Sequence, residues 1–336
     1  MLAFLARRLF LAIPSLLGLM ILCFVLLRVV PSDPSAALAG DNATPQQIAE
    51  IRAKFGFDRP LHEQFFLYMK QVLSGDLGVS VHSNRPVVAD IGQRLPATLE
   101  LTFVALFLAA AIGIPLGTVA AVAHNTPVDH LVRLFTIGGL AVASFWLAIM
   151  LQLWLAMDLD LLPLRGRMAV ALGSPPTVTG SYVIDSLVAG RWDQFVSALR
   201  HIVMPATVLA IPAIATIARF TRSGVLETMQ KDFVTYETAA GYRRGRLIRI
   251  FVLRNSVATA VTQIGLLFGG LISSAVAVEA IFDWPGIGSY AVYAILGQDY
   301  KAVLAVTLFV GVVYAIVNVL VDMVHAALDP RVAEQL

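Results

Sequence analysis

The residues able to do chemistry are few and unevenly placed. Arg219, Arg222, Lys231, Arg243, Arg244, Arg246, Arg249 and Arg254 crowd one short stretch, against only Glu227, Asp232 and Glu237. Asp232 can cap a helix over Phe233–Ala240, and Gly241 can end it in the left-handed conformation that glycine adopts cheaply. Arg243, Arg246 and Arg249 then recur at a spacing of three, which gathers them on one helical face. Such a segment suits docking to a protein or to acidic lipid, not bond-making. Elsewhere the chemistry is missing. No G-x-x-x-x-G-K-[ST] binds nucleotide, no H-E-x-x-H or paired cysteine holds a metal, and no G-x-S-x-G presents a nucleophile. His62, His82, His124, His130, His201 and His325 are scattered without ligand spacing. No catalytic, cofactor-binding or metal-binding residue is assigned, and the chain is not read as an enzyme.

The elements that must position these residues are apolar helices. Of 336 residues, 58% are hydrophobic and 14% charged, where a soluble chain carries about 25% charged residues. The apolar excess is gathered into charge-free runs, which excludes a soluble enzyme, a nucleic-acid binder and a disordered chain. A helix needs about 20 apolar residues to cross the hydrocarbon. Six runs qualify: Leu9–Leu27, Leu101–Ala123, Leu134–Met157, Ile202–Ala218, Ser256–Val278 and Ala302–Val321. The expected fold is therefore an all-α integral membrane protein with six transmembrane helices. Pro205 and Pro212 predict a kink in the fourth run. The first run is longer than a signal-peptide core and reads as a retained helix. Cys23, the single cysteine, lies inside it and reads as packing.

Lys and Arg in the short loops set the orientation. With the N-terminus inside, the inner segments carry Arg7, Arg8, Arg133, the 219–254 cluster and Arg331, while the short loop between spans five and six has Asp283 and Asp299. Both termini are thus expected in the cytoplasm. Residues 1–30 form the first helix, 31–97 a periplasmic cap, 98–326 a core of five helices containing a cytoplasmic loop at 219–256, and 327–336 a tail. Within the cap, Pro45 and Pro60 each open an apolar-periodic stretch, and Gly75-Asp76-Leu77-Gly78 is turn chemistry. Residues 158–200 read as an irregular outer loop with one short helix near Ser181–Leu187. Charges inside the spans are few and terminal (Arg28, Glu100, Asp322), so an ion relay has nothing to run on. Energy must come from a partner docking on the 219–256 loop. The alternative, an ion-coupled secondary transporter or channel, would need internal repeats, and none is found.

At several ordered positions the sequence resembles the permease subunits of bacterial ABC importers for dipeptides, oligopeptides and nickel. The likeness is carried by Val30-Pro31-Ser32-Asp33-Pro34, Phe55-Gly56-Phe57-Asp58-Arg59-Pro60-Leu61, Gly75-Asp76-Leu77-Gly78-Val79-Ser80 and Arg94-Leu95-Pro96-Ala97-Thr98-Leu99-Glu100-Leu101. It continues through Phe282-Asp283-Trp284-Pro285-Gly286-Ile287-Gly288, Asn318, Asp322 and Asp329-Pro330-Arg331. The resemblance implies a type I ABC importer permease fold in the bacterial inner membrane. It implies as partners a second homologous permease, two ATP-binding subunits that hold ATP and Mg, an external solute-binding protein and the lipid bilayer, with no nucleic acid. This chain would bind no cofactor itself. By the same resemblance, Asp232, Phe233, Tyr236, Glu237, Ala239, Gly241, Arg243, Arg244 and Arg246 would couple the permease to the ATPases. Tyr236 and Glu237 stand where the family usually has small residues. Trp284, Pro285 and Gly286 would line the external mouth of the pathway. Movement of peptides by alternating access is the activity this implies. The topology has a direct check. A reporter fused at Gly173 should read as extracytoplasmic and one at Gly245 as cytoplasmic, and the reverse pattern would overturn the orientation.

Overall fold

The computed structural model describes residues 2–29, 44–54 and 59–328. The motif residues at 30–34, 55–58 and 329–331 lie outside the described residues, as do both termini. Every described regular element is a helix, and the only β pairing among the described residues is an isolated bridge between Val79 and Pro86. Runs of Leu, Ala, Val and Ile without charge leave the backbone no water to bond, and a helix satisfies each amide within its own segment. In chain order the helices are α1 (Leu2–Val29), α2 (Pro45–Lys54), α3 (Leu61–Leu73), α4 (Val87–Val122), α5 (Pro127–Ala141) and α6 (Ser144–Leu151). They continue as α7 (Tyr182–Val188), α8 (Trp192–Met229), α9 (Asp232–Ala239), α10 (Leu253–Ile281), α11 (Ile287–Leu296) and α12 (Tyr300–Leu328). Four described helices are long and apolar enough to cross a membrane, or five if α5 and the α6 segment count as one broken span. The apolar Ile13–Leu26 stretch of α1 is shorter.

Two compact units partition the chain: Met1–Gln93 with Ala291–Ala315, and Arg94–Tyr290 with Ile316–Leu336. In the first, Phe24 of α1 meets Phe65 of α3 edge-on, with ring centroids 5.3 Å apart. Its connecting loop is tied to the start of α12, where Ser80 Oγ and the Val81 amide donate to Asp299 Oδ2 at 2.6 and 2.8 Å. The second unit is built around α8, which packs against α5, α6, α7 and α10. Its core joins Leu101, Ala105 and Ala109 of α4 to Ile202, Leu209 and Ile217 of α8 and to Ala275 and Val278 of α10. Gly113 and Gly117 let α4 approach α8 closely; a β-carbon at Gly117 would collide with the Ala218 carbonyl.

The 98° break lies in a different run from the one in which proline predicts a kink. Pro205 and Pro212 lie inside one continuous helix of 38 residues. The third apolar run breaks instead, by 98°, between Ala141 and Ser144. There Val142 and Ala143 are extended, at ψ 125° and 127°. The segment after the bend runs on from α6 as a π-helical stretch, Gln152–Asp158.

One buried carboxylate fixes the corner between α10 and α11. Glu279, fully buried, accepts from Thr98 Oγ1 at 2.6 Å and from the Ser289 amide at 3.0 Å. Thr98 Oγ1 in turn accepts from the Ile287 amide at 2.8 Å, so α4, α10 and α11 share one bond chain. The carboxyl occupies the space a β-carbon at Gly286 would need. Gly286→Ala should therefore cost about 1–3 kcal/mol by overpacking. That cost should largely vanish in a Glu279→Ala background, where the colliding group is gone. Thermal unfolding of the four variants in mild detergent checks the cycle, and an equal loss in both backgrounds would refute the contact.

Candidate functional site

The 230–254 segment starts where α8 stops. Gln230 caps α8, and Lys231, extended at ψ 147°, precedes α9. Asp232 is the first helical residue and not the cap; there its carboxylate faces the positive end of the helix. The alternation of small apolar and polar residues gives α9 two unlike faces. Val234 is buried and Phe233 half-buried, packed in a cluster with Ala121, Val225, Leu247 and Val252 from α4, α8 and the approach to α10. On the other side Tyr236 is 74% exposed, and Asp232 and Ala239 are exposed with it, while Glu237 is partly covered.

Gly241 ends the helix at φ +85°. Its amide donates to Thr238 O at 3.1 Å, and the Tyr242 amide donates to Glu237 O at 3.3 Å, so the last carbonyls of α9 are answered. Nothing lies within 4 Å of where its β-carbon would sit. Conformation, not space, is what calls for glycine here. The chain then enters α10 through Arg244–Arg246 and a π-helical stretch, Leu247–Val252. Arg243, Arg244, Arg246 and Arg249 are all exposed. Arg246 stacks on the Tyr242 ring at 5.5 Å, and Tyr242 meets Phe251 edge-on at 5.3 Å.

Beside this element, Arg222 of α8 grips Asp129 of α5 with two parallel bonds, Nε to Oδ1 at 2.7 Å and Nη2 to Oδ2 at 2.9 Å. Asp129 is fully buried and also accepts from the Asn125 amide at 3.0 Å, with Arg133 at 3.4 Å. A bidentate pair of this kind fixes angle as well as distance, so the end of α8 that leads into α9 is held to α5.

At the 282–289 loop, Trp284 is 1% exposed and its indole Nε1 donates to the Ala97 carbonyl at 2.9 Å. Gly286 is buried against Glu279, and Pro285 lies at the surface. The three residues thus form a packed corner, with only the proline facing outward in this chain. A second buried carboxylate braces the neighbouring loop. Glu100 pairs with Arg167 and accepts from Ser181 Oγ at 2.7 Å and the Val183 amide at 2.8 Å, capping α7. The Arg167 guanidinium also lies over the Tyr182 ring, 3.9 Å from its centroid. Burial pushes the Asp185 carboxyl up, yet donors from Thr179, Val178 and Gly180 outweigh it and hold it below the usual carboxylate range.

The structure gathers the expected coupling residues on α9 and the turn after it, with Asp232, Tyr236, Ala239, Gly241, Arg243, Arg244 and Arg246 exposed, Glu237 partly covered and Phe233 turned into the apolar cluster. It places the 284–286 trio elsewhere, at the Glu279 corner. Sequence reasoning missed Arg167, Arg222 and the central role of Glu279. The partners of Arg167 and Arg222 lie 67 and 93 residues away, beyond any local signal. Among the described residues, no group of His, Cys, Asp or Glu is arranged to hold a metal ion.

Comparison with known proteins matches two family signatures. Residues 113–334 match the binding-protein-dependent transport system inner membrane component, and residues 1–102 match the N-terminal membrane component of the same systems. The chain is 37% identical to the probable D,D-dipeptide transport system permease protein DdpB of Escherichia coli strain K12, over 94% of this chain and 93% of that one. It is 35% identical to the dipeptide transport system permease protein DppB of Alkalihalophilus pseudofirmus over 99% of both chains. It is also 35% identical to the di/tripeptide transport system permease protein DppB of Pseudomonas aeruginosa over the full length of each. A solved structure of the MetNI methionine ABC transporter, in an inward-facing conformation, shares the fold with a TM-score of 0.54 at 15% identity, covering 71% of this chain and 96% of that one. The chain belongs to the family of binding-protein-dependent transport system inner membrane components, multi-pass proteins of the bacterial inner membrane.

Proposed function

We propose that the chain is one permease subunit of an ATP-driven importer and forms half of a translocation pathway for di- or oligopeptides. The peptide assignment rests on the relatives, whose names are those of dipeptide, D,D-dipeptide and di/tripeptide systems. In this reading the chain crosses the membrane six times, with α1 and the bent α5–α6 segment each counted as one crossing, and both termini are cytoplasmic. Its partners are a second permease, two ATPase subunits that bind ATP and Mg, and an external solute-binding protein. The subunit performs no hydrolysis and holds no cofactor.

The observation that carries the proposal is the form of α9. One side of that helix is seated in an apolar cluster of α4, α8 and the approach to α10. The other side presents Tyr236, the end at Gly241 and a run of exposed arginines. A driving subunit can move a permease only through contacts that differ between two states. Such contacts need a rigid foot inside the permease and an open face toward the partner, and α9 has both. The turn at Asn125, the bidentate Asp129–Arg222 pair and the cluster around Val234 supply the foot. Closure of the ATPases on ATP would then carry α9 and the attached end of α8, opening the pathway outward to receive solute. The Trp284–Gly286 corner stands at the external mouth in this scheme. Packed as it is, its part is to hold the wall of the mouth while Pro285 faces it.

Two measurements test the proposal. Affinity purification of the tagged chain should recover a second permease and ATPase subunits; a chain that purifies alone as a stable homo-oligomer would refute the assignment. Gly241→Trp places a bulky residue at φ +85°, on the exposed ridge. The variant should insert and assemble normally yet lose solute-stimulated ATPase activity. Full stimulation in that variant would remove α9 from the coupling path.

A further inference from the structure

At the end of α8 remote from α9, residues 160–172 and the first turns of α8 line an open groove of about 620 Å³, with Asp160, Leu161, Asp193 and Arg200 exposed along it. That volume lies within the range of small-molecule sites. Most of the lining is apolar, from Leu161, Leu162, Pro163 and Val196, and the charged groups are Asp160, Asp193 and Arg200. Asp193 and Arg200 are seven residues apart on one helix. Two turns put them on nearly the same face, about 10 Å apart along the axis. Arg200 uses one donor on the Leu161 carbonyl, Nη2 to O at 3.1 Å, which anchors the guanidinium at the cleft wall. The other donors of the fork remain for a second acceptor. His201 is turned onto its own helix, with Nδ1 2.7 Å from the Ser197 carbonyl, and its ring extends the wall beside Arg200.

We infer that this groove is a subsite for a zwitterionic di- or tripeptide, with its carboxylate on Arg200 and its ammonium on Asp193. The inference rests on the peptide reading above and gives that reading a place in this chain. The charges on α8 match in sign at each end, the Asp193 carboxylate toward the cation and the Arg200 guanidinium toward the anion. The spacing matches in length. An extended tripeptide spans about 10 Å and a dipeptide about 7 Å, and the two flexible side chains close the remaining gap for the shorter one. The apolar wall between the charges accepts side chains without demanding their identity. Longer peptides would overrun one of the two charged ends, so the cleft selects for length and for free termini.

The test uses the assembled transporter in nanodiscs, without its solute-binding protein, and equilibrium binding of radiolabelled trialanine. Asp193→Asn and Arg200→Gln should each weaken binding by about tenfold or more, the usual scale for a charge-assisted bond. The pairing of variant and ligand end is the decisive readout. Binding of N-acetyl-trialanine should be insensitive to Asp193→Asn, and binding of trialanine amide insensitive to Arg200→Gln. A merely structural role would lower all three ligands together, and that result would overturn the subsite. Arg200→Lys, which keeps the charge, should retain most of the binding. If the complete system imports trialanine while neither variant alters binding, the subsite is refuted and the importer reading stands. If the complete system with its binding protein imports no di- or tripeptide, the peptide reading falls and the subsite falls with it.

Discussion

A carboxylate sealed from water has to be answered by donors, because leaving it unanswered costs several kcal/mol. Glu279 imposes that demand on its end of the second unit. Thr98, the Ser289 amide and, through Thr98, the Ile287 amide are arranged to meet it. Gly286 follows from the same demand, since any larger residue would occupy the space of the carboxyl, while Gly288 is required mainly by the close approach of the Val276 backbone. Glu100, less than one turn beyond Thr98 on α4, repeats the device. It gathers Arg167, Ser181 and the start of α7 and so orders a loop that has little apolar core of its own. Two irregular segments, near 165–186 and 282–289, are thus fixed to regular helices by a small set of polar bonds. Burial makes those bonds costly to break. Trp284 closes the gap between them, with its indole on the α4 carbonyl of Ala97 and its ring near Arg167.

The opposite end of α8 is organised by a different balance. Asp129 and Arg222 make one bidentate buried contact, but α9 itself is held by a modest apolar cluster and ends in an exposed glycine turn. The coupling role proposed for α9 needs this asymmetry. Too deep a seat would leave nothing for a partner to touch, and too shallow a seat would let the helix swing without moving the rest. The arginines expected to set the topology also widen the exposed ridge, so in the proposed scheme insertion and docking draw on the same residues.

Much of this was legible in the sequence, for physical reasons that also mark the limits. Charge-free runs located the apolar helices because hydrocarbon tolerates only internally bonded backbone. They could not place the ends. Residues 202–218 carry the apolar signal of α8, yet the helix runs from Trp192 to Met229, because charged residues end an apolar run without ending a helix. Proline gave no flag for the 98° break. Its missing donor is tolerated inside α8, whereas the 98° break falls after Gly138 and Gly139 at residues with no such flag. The turn at Gly241 and the short helix after Ser181 were readable because capping is local chemistry. The Glu100–Arg167 and Asp129–Arg222 pairs were not, since a charge reveals its partner only after folding. The 284–286 trio was legible as a turn, but not as a packed corner of which only the proline faces outward.

The length of α8 joins these observations. At 38 residues it is about 57 Å long, well beyond the roughly 30 Å of hydrocarbon. Asp193 and Arg200 lie in its first turns, Arg222 lies near its last, and the buried stretch between them packs on α4, α5, α6 and α10. Close-packed helices transmit displacement instead of absorbing it. The glycine contacts at Gly113 and Gly117 leave little slack between α4 and α8. In the proposed scheme a displacement delivered through α9 acts on the same long helix that carries one wall of the charged groove. Beside it, the α5–α6 segment is broken by 98° at an extended two-residue joint, so α8 alone of this pair runs unbroken. One continuous helix of 38 residues joins the groove at its start to the α9 ridge at its end, which is the link the proposed mechanism requires.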